Sequence, residues 1–190
     1  MTKDSATYHK LITAAADCFA EKGFNATSVR EIALRAGISQ GAMYTYFRSK
    51  DELISAIVLE EQKSALNAQN ESFSGSFLER ICSLVSSCIS DVGYPATHRL
   101  WVEIIAESAR NTSLGNTFIS SDIAMRHGIG NIIRQGIESG EFRKNLVVEE
   151  TTIVIFAIID GLIARKAINK DFSPHKDLST FSDVLRHLLT

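Results

Sequence analysis

The stretch from Thr27 to Leu53, TSVREIALRAGISQGAMYTYFRSKDEL, decides the fold. Thr27 or Ser28 stands where a helix N-cap is wanted, and Glu31 occupies the position from which a carboxylate can reach back and close a capping box. Val29, Ile32 and Ala33 supply the buried side of a short helix. Gly37 ends that helix, Ser39 starts a third, and the Gly37-Ile38-Ser39 turn between them holds two short helices at a steep angle, as a helix-turn-helix requires. The third helix is expected to run to about Phe47, and a long fourth to begin at Ser49 or Lys50.

At about 100° per residue the third helix has two chemically different sides. Met43 and Phe47 belong in a small core with Leu11, Phe19, Val29 and Ile32. The other side offers Gln40, Gly41, Tyr44 and Thr45, which suits a DNA major groove. Gln40 can make paired hydrogen bonds to an adenine edge, and Thr45 can offer a methyl to thymine or a hydroxyl to a base or phosphate. Gly41 lets the backbone come close to DNA, and the helix start at Ser39 presents free N–H groups to a phosphate. Tyr44, Tyr46 and Lys50 are candidate phosphate contacts, and Thr27 or Ser28 is an anchor on the far side of the groove.

Working outward, nearly every segment repeats its apolar residues at helical spacing, and none alternates like a half-buried strand. The fold class is all-α with about nine helices. The first runs from about Ser5 to Lys22 and stops at Gly23. The fourth carries Leu53, Ile54, Ile57, Val58 and Leu66 up to a Ser/Gly-rich break at Ser72 to Ser76. Further helices are expected at about 77–92, 96–110, 114–139, 148–169 and 179–189, punctuated by Gly93-Tyr94-Pro95, Asn111, Gly140 and Pro174. Gly128-Ile129-Gly130 lacks the strand and third glycine of a nucleotide loop and reads as a locally loose helix.

The 190 residues are 45% hydrophobic and 22% charged, which excludes disorder and collagen-like repeats. The net charge of -2 seems to argue against nucleic acid until it is split. Residues 1–50 hold seven Lys/Arg against four Asp/Glu, a balance of +3, so the remainder carries -5. The basic end is the one that holds the helix-turn-helix. Cys18, Cys82 and Cys88 form no CxxC pair, and the N-terminus lacks an apolar signal region, so a reducing interior is expected. Ile153 to Ile159 is too short an apolar run for a membrane span. His9, His98, His127, His175 and His187 are scattered without ligand spacing, so no metal and no cofactor are expected. No nucleophile–base arrangement is legible, and a small all-α enzyme remains a remote alternative.

These residues, Thr27 to Ala33, Ala36 to Phe47 and Lys50 to Leu53, resemble the DNA-binding signature of TetR-type transcriptional regulators over about the first 55 residues. The resemblance implies a DNA-binding domain at 1–50 and a helical effector-binding and dimerisation domain at 51–190. It places phosphate contacts on Thr27, Ser39, Tyr44, Tyr46 and Lys50, with base-facing positions at Arg30, Gln40, Gly41, Ala42 and Thr45. Tyr46 stands where a His is frequent, and a phenol can still donate to phosphate. For Arg30 a salt bridge to Glu31 or Asp17 is an equal alternative. The implied protein is a homodimeric repressor in the bacterial cytoplasm, associated with the nucleoid. It would bind a palindromic operator and be released by a small-molecule effector. An interaction protein using the same fold, like some TetR-like cell-division inhibitors, is the competing class.

The later helices support dimerisation independently. The run from Ile153 to Ile159 is apolar all round, so its helix needs burial on more than one side. Phe181, Val184, Leu185, Leu188 and Leu189 form one face of the last helix, and Asp160-Gly161 permits close helix approach. The expected interface is Phe156, Ile159, Asp160, Phe181, Val184, Leu185 and Leu188, in a four-helix arrangement. Phe77, Cys82, Trp101, Ile105, Phe118, Met125 and Phe156 are the bulky or soft residues available to line an effector pocket, though most of them are expected to be plain core. Glu103 and Glu107 share a helix face and repel, and Arg99 and Arg110 can each reach one of them; the alternative is a pocket carboxylate.

Overall fold

In a computed structural model the described residues are 6–92, 96–177 and 180–190. The expected break at Gly93-Tyr94-Pro95 and the expected helix start at Ser179 lie outside them. The described residues form ten helical segments: α1 Ala6–Lys22, α2 Val29–Arg35, α3 Gln40–Met43, α4 Lys50–Asn70, α5 Phe77–Ser90, α6 His98–Ser108, α7 Thr112–Glu138, α8 Val148–Ile168, α9 Pro174–Asp177 and α10 Phe181–Leu189. The all-α class is as expected, and the additional segment is the single turn α9. The chain packs as two units, one of residues 1–61 with 93–121 and the other of 62–92 with 122–190.

The first unit is built on α1, whose Leu11, Ile12, Ala15 and Phe19 are buried with Ile32, Met43, Phe47, Leu53, Ile54, Ile57, Leu100 and Ile104. Tyr8 stacks on Phe47 with ring centroids 5.1 Å apart, and Phe19 packs against Phe24 at 5.3 Å. Two glycines with positive φ, Gly23 at 81° and Gly37 at 71°, end α1 and α2, where a β-carbon would be strained. The α6 helix, separated from α4 in the chain by α5, packs here against α1.

In the second unit Leu78, Ile81, Val85 and Ile89 of α5 face inward, beneath a capping box of Ser76 and Glu79. They join Met125, Ile129, Ile133, Phe142, Val148, Ile155, Ile159, Ile163, Leu185 and Leu189 as buried apolar residues of this unit. The turn after α7 is tightly tied. Phe142 lies on Gly136, the Glu141 carboxylate accepts from the Phe77 and Leu78 N–H groups at 2.9 and 2.8 Å, and Arg143 donates to the Leu188 and Leu189 carbonyls. Gly128 does not loosen α7. The buried Gln69 carboxamide lies against it and donates to the Met125 carbonyl at 3.2 Å, in space that a β-carbon would fill.

Burial divides the expected dimer residues. Leu185 and Ile159 are buried in the subunit's own core, Phe156, Asp160, Phe181 and Leu188 are half-buried, and Val184 is exposed. This corrects the expected interface at Leu185, which has no surface to offer, while Ile159 at 8% exposure has little. The outward apolar positions of α8 are instead Ile153, Val154, Ala157, Gly161 and Ile168, a stripe that continues the 3.6-residue period. A shallow groove along the same helix is lined by Ala157, Ile158, Gly161, Leu162 and Arg165.

Candidate nucleic-acid interface

Of the two candidate caps for α2, the structure uses Ser28. Its hydroxyl accepts from the Glu31 N–H at 3.2 Å, and the Glu31 carboxylate accepts from the Ser28 N–H at 2.9 Å. Glu31 also pairs with Lys22 at 2.5 Å, and Arg35 pairs with Glu21 through two bonds of 2.9 and 2.7 Å, so α2 is pinned to α1 on both sides. The Lys22 ammonium, then the Ser28 N–H and hydroxyl, hold the Glu31 carboxyl at about 2, well below its ordinary 4.5. A depressed carboxyl contributes stability that is complete above its ordinary value and is lost as pH falls through the window from about 4.5 to 2. Melting temperatures measured across that window are therefore expected to fall less steeply for Glu31→Gln than for the wild type. Parallel curves would show that Glu31 is not a source of the acid sensitivity.

Thr27 turns inward. It is 2% exposed, and its hydroxyl donates to the Cys18 and Gly23 carbonyls at 3.1 and 2.8 Å. It therefore serves the α1–α2 turn, and the residue exposed at the start of α2 is Ser28; this corrects the expected phosphate contact at Thr27. Arg30 is exposed, and Glu31 takes Lys22 rather than Arg30 as its ion-pair partner.

The third helix is shorter than expected. Ser39 caps it by accepting from the Ala42 N–H at 3.1 Å, but regular α-helix ends at Met43. The Thr45 hydroxyl donates to the Ala42 carbonyl at 2.7 Å, and the Thr45 and Tyr46 N–H groups bond three residues back, tightening the chain into turns. The predicted sidedness survives. Met43 and Phe47 are buried, Gln40, Gly41, Tyr44 and Thr45 are exposed, and Ala42 and Tyr46 are half-buried. Nothing stands within 4 Å of where a β-carbon on Gly41 would lie, so the space above the backbone there is open.

Lys50, expected as a phosphate contact, is half-buried, with its ammonium donating to the Phe24 and Thr27 carbonyls at 2.7 Å each and lying 4.6 Å above the centre of the Phe24 ring. Two of its three protons thus hold the α1–α2 turn. Sequence reasoning missed this use, and it also missed Arg48, an exposed cation between Tyr46 and Lys50.

The residues considered for an effector do not fall in one unit. Trp101, Ile105 and Phe118 belong to the first, with the Trp101 and Phe118 rings 5.7 Å apart, whereas Phe77, Met125 and Phe156 belong to the second. Glu107 is buried and pairs with Arg110 at 2.9 Å, while Glu103 accepts from the Phe24 N–H at 2.6 Å.

The chain matches the family model described as bacterial regulatory proteins, tetR family, over residues 11–57, and that described as BetI-type transcriptional repressor, C-terminal, over residues 78–190. It is 28% identical to the HTH-type transcriptional regulator UidR of Escherichia coli K12, covering 86% of this chain and 83% of that protein. It is 25% identical to the fatty acid metabolism regulator protein of Bacillus subtilis, covering 96% and 93%. Among solved structures, GusR of Salmonella enterica superposes with a TM-score of 0.81 at 25% identity, covering 98% of this chain and 96% of that one. FadR of Bacillus subtilis, solved with stearoyl-CoA, has the same fold at a TM-score of 0.78 and 24% identity, covering 95% and 96%.

Proposed function

Because the chain belongs to the TetR family of bacterial transcriptional regulators, we propose that it acts as a homodimeric repressor. Each subunit reads one half of a palindromic operator through its helix-turn-helix, and a small-molecule effector releases the complex. What carries this reading is the exposed Gln40, Gly41 and Thr45 set over the buried Met43 and Phe47, a polar face presented by a packed support. Arg30, Gln40, Gly41, Ala42 and Thr45 read bases, whereas Ser28, Ser39, Tyr44, Tyr46 and the remaining proton of Lys50 hold phosphates. Subunits meet through α8 and α10, with Val184, Phe181, Leu188, Phe156 and Asp160 beside the outward stripe of α8. The protein acts in the cytoplasm on the nucleoid; no helix among the described residues is long and apolar enough to cross a membrane.

The effector is taken up by the portion beyond residue 50. Its candidate contacts are Trp101, Ile105 and Phe118 if it lies in the first unit, or Phe77, Met125 and Phe156 if it lies in the second. Its binding weakens DNA affinity by changing the separation of the two readers from one that matches successive major-groove faces.

In vitro selection of bound DNA is expected to enrich a symmetric motif whose half-sites are centred about 34–36 Å apart or a multiple of that. No enriched symmetric motif at moderate salt would overturn the reading. On the selected site, Gln40→Ala is expected to relax preference at one base pair, at a cost of about 1–3 kcal/mol for that position alone. An unchanged selected motif would remove Gln40 from the base-reading set.

A further inference from the structure

The α1–α2 turn, residues 23–28, ends on the exposed Ser28, and the carbonyl, ring and N–H of Phe24 within it are all held. Its carbonyl is held by Lys50 of α4 at 2.7 Å, and its ring packs against Phe19 of α1 with the Lys50 ammonium above it. Its N–H is held from α6, where the half-buried Glu103 carboxylate accepts it at 2.6 Å. The same carboxylate oxygen would lie 3.1 Å from a β-carbon on Gly23, so glycine there both adopts the positive φ and leaves room for Glu103. Just past the far end of α6, the Asn111 side-chain amide donates to Asp51, next in sequence to Lys50, while its carbonyl accepts from the Leu114 N–H at 3.1 Å. Thus, within the first unit, α6 and its trailing turn hold the N-terminal stretch at the α1–α2 turn and at the start of the helix that carries Lys50.

We infer that Glu103 is a positioning residue for DNA binding. Its carboxylate fixes the Phe24 N–H, and with it the register of the α1–α2 turn and the placement of Ser28. It contacts no DNA itself and acts through the turn. A hydrogen bond to a charged acceptor is stronger than a neutral one, and a second N–H partner for Phe24 would have to be water. This inference rests on the DNA-reading role proposed above and adds a residue that lies outside the helix-turn-helix, on α6.

The test uses the full-length protein and its selected palindrome at a fixed salt concentration and at a temperature where every variant is folded by circular dichroism. Glu103→Ala is expected to weaken binding about tenfold and to speed hydrogen exchange at the Phe24 amide, with the salt dependence of binding unchanged because no phosphate contact is lost. Glu103→Gln keeps an acceptor oxygen and is expected to recover most of both effects. Tight binding by Glu103→Ala, equal to that of the wild type, would overturn the inference while leaving the DNA-reading role intact. Unchanged Phe24 exchange in Glu103→Ala would overturn it as well. Failure of the wild type itself to bind any selected palindrome would instead overturn the DNA-reading role on which the inference rests.

Discussion

A Lys50→Met protein is expected to bind its operator at least about a hundredfold more weakly than the wild type, and to unfold more easily by about 2–4 kcal/mol. The methionine keeps much of the apolar stem beside Phe24 but loses the two ammonium bonds to the Phe24 and Thr27 carbonyls. Bonds to charged groups contribute about 1.5–3 kcal/mol each, offset in part because water can reach a half-buried site. The loss has two separable components. Removal of one phosphate contact lowers the salt slope by about one unit and leaves the melting curve alone, whereas release of the turn lowers the melting temperature as well. Denaturant titration and filter binding on the same preparation resolve them. If both stability and affinity stayed at wild-type values, the ammonium would not be the clamp its geometry describes.

The second large effect is expected at Gly161. This glycine lies on the outward side of α8, exposed, with nothing within 4 Å of where its β-carbon would stand. For the isolated subunit Gly161→Glu is harmless or mildly stabilising, since glycine inside a helix costs about 1 kcal/mol relative to a good helix former. For a dimer joined along that stripe it places a charge and a bulky stem at the point of closest helix approach, and pairing with Arg165 one turn further along α8 leaves the stem in the way. Sedimentation equilibrium is expected to give monomers with a melting curve no lower than that of a wild-type subunit. Operator affinity is expected to fall by about a hundredfold or more as the two half-sites lose their linkage. A Gly161→Glu dimer of undiminished stability would place the interface elsewhere.

What the sequence made legible was local. The capping box of Ser28 and Glu31, the stops at Gly23 and Gly37, and the burial of Met43 and Phe47 all follow from residues within a turn or two of one another, where spacing alone determines which groups can meet. The early end of α3 was missed because its cause is a competition: the Thr45 hydroxyl bonding back to Ala42, and i to i+3 bonds replacing α-helical ones, against a helical pattern of apolar residues that is otherwise intact. The inward use of Lys50 and Thr27 was not legible, since a lysine or threonine beside a helix-turn-helix has the same spelling whether it faces phosphate or a carbonyl. Glu103 was read against its helical neighbours Arg99 and Glu107, but its partner is 79 residues away in sequence, and periodicity carries no signal at that range. Gly128 looked like local looseness because the group that needs the space, Gln69, sits on another helix.

The first unit is assembled from two separated stretches, 1–61 and 93–121. At the level of the gene this limits how such a regulator can exchange its target. A crossover near codon 61 would deliver a new set of side chains at the proposed reading positions 40–45 together with a Phe24 amide that must find its acceptor on a helix encoded by the other parent. Point changes at 40–45 carry no such condition, because those side chains stand clear on a support already complete. New operators are therefore expected to be acquired by drift at a few codons more readily than by swapping the N-terminal segment whole, and hybrids made by such swaps should function best when the residues at 103 and 111 travel with it.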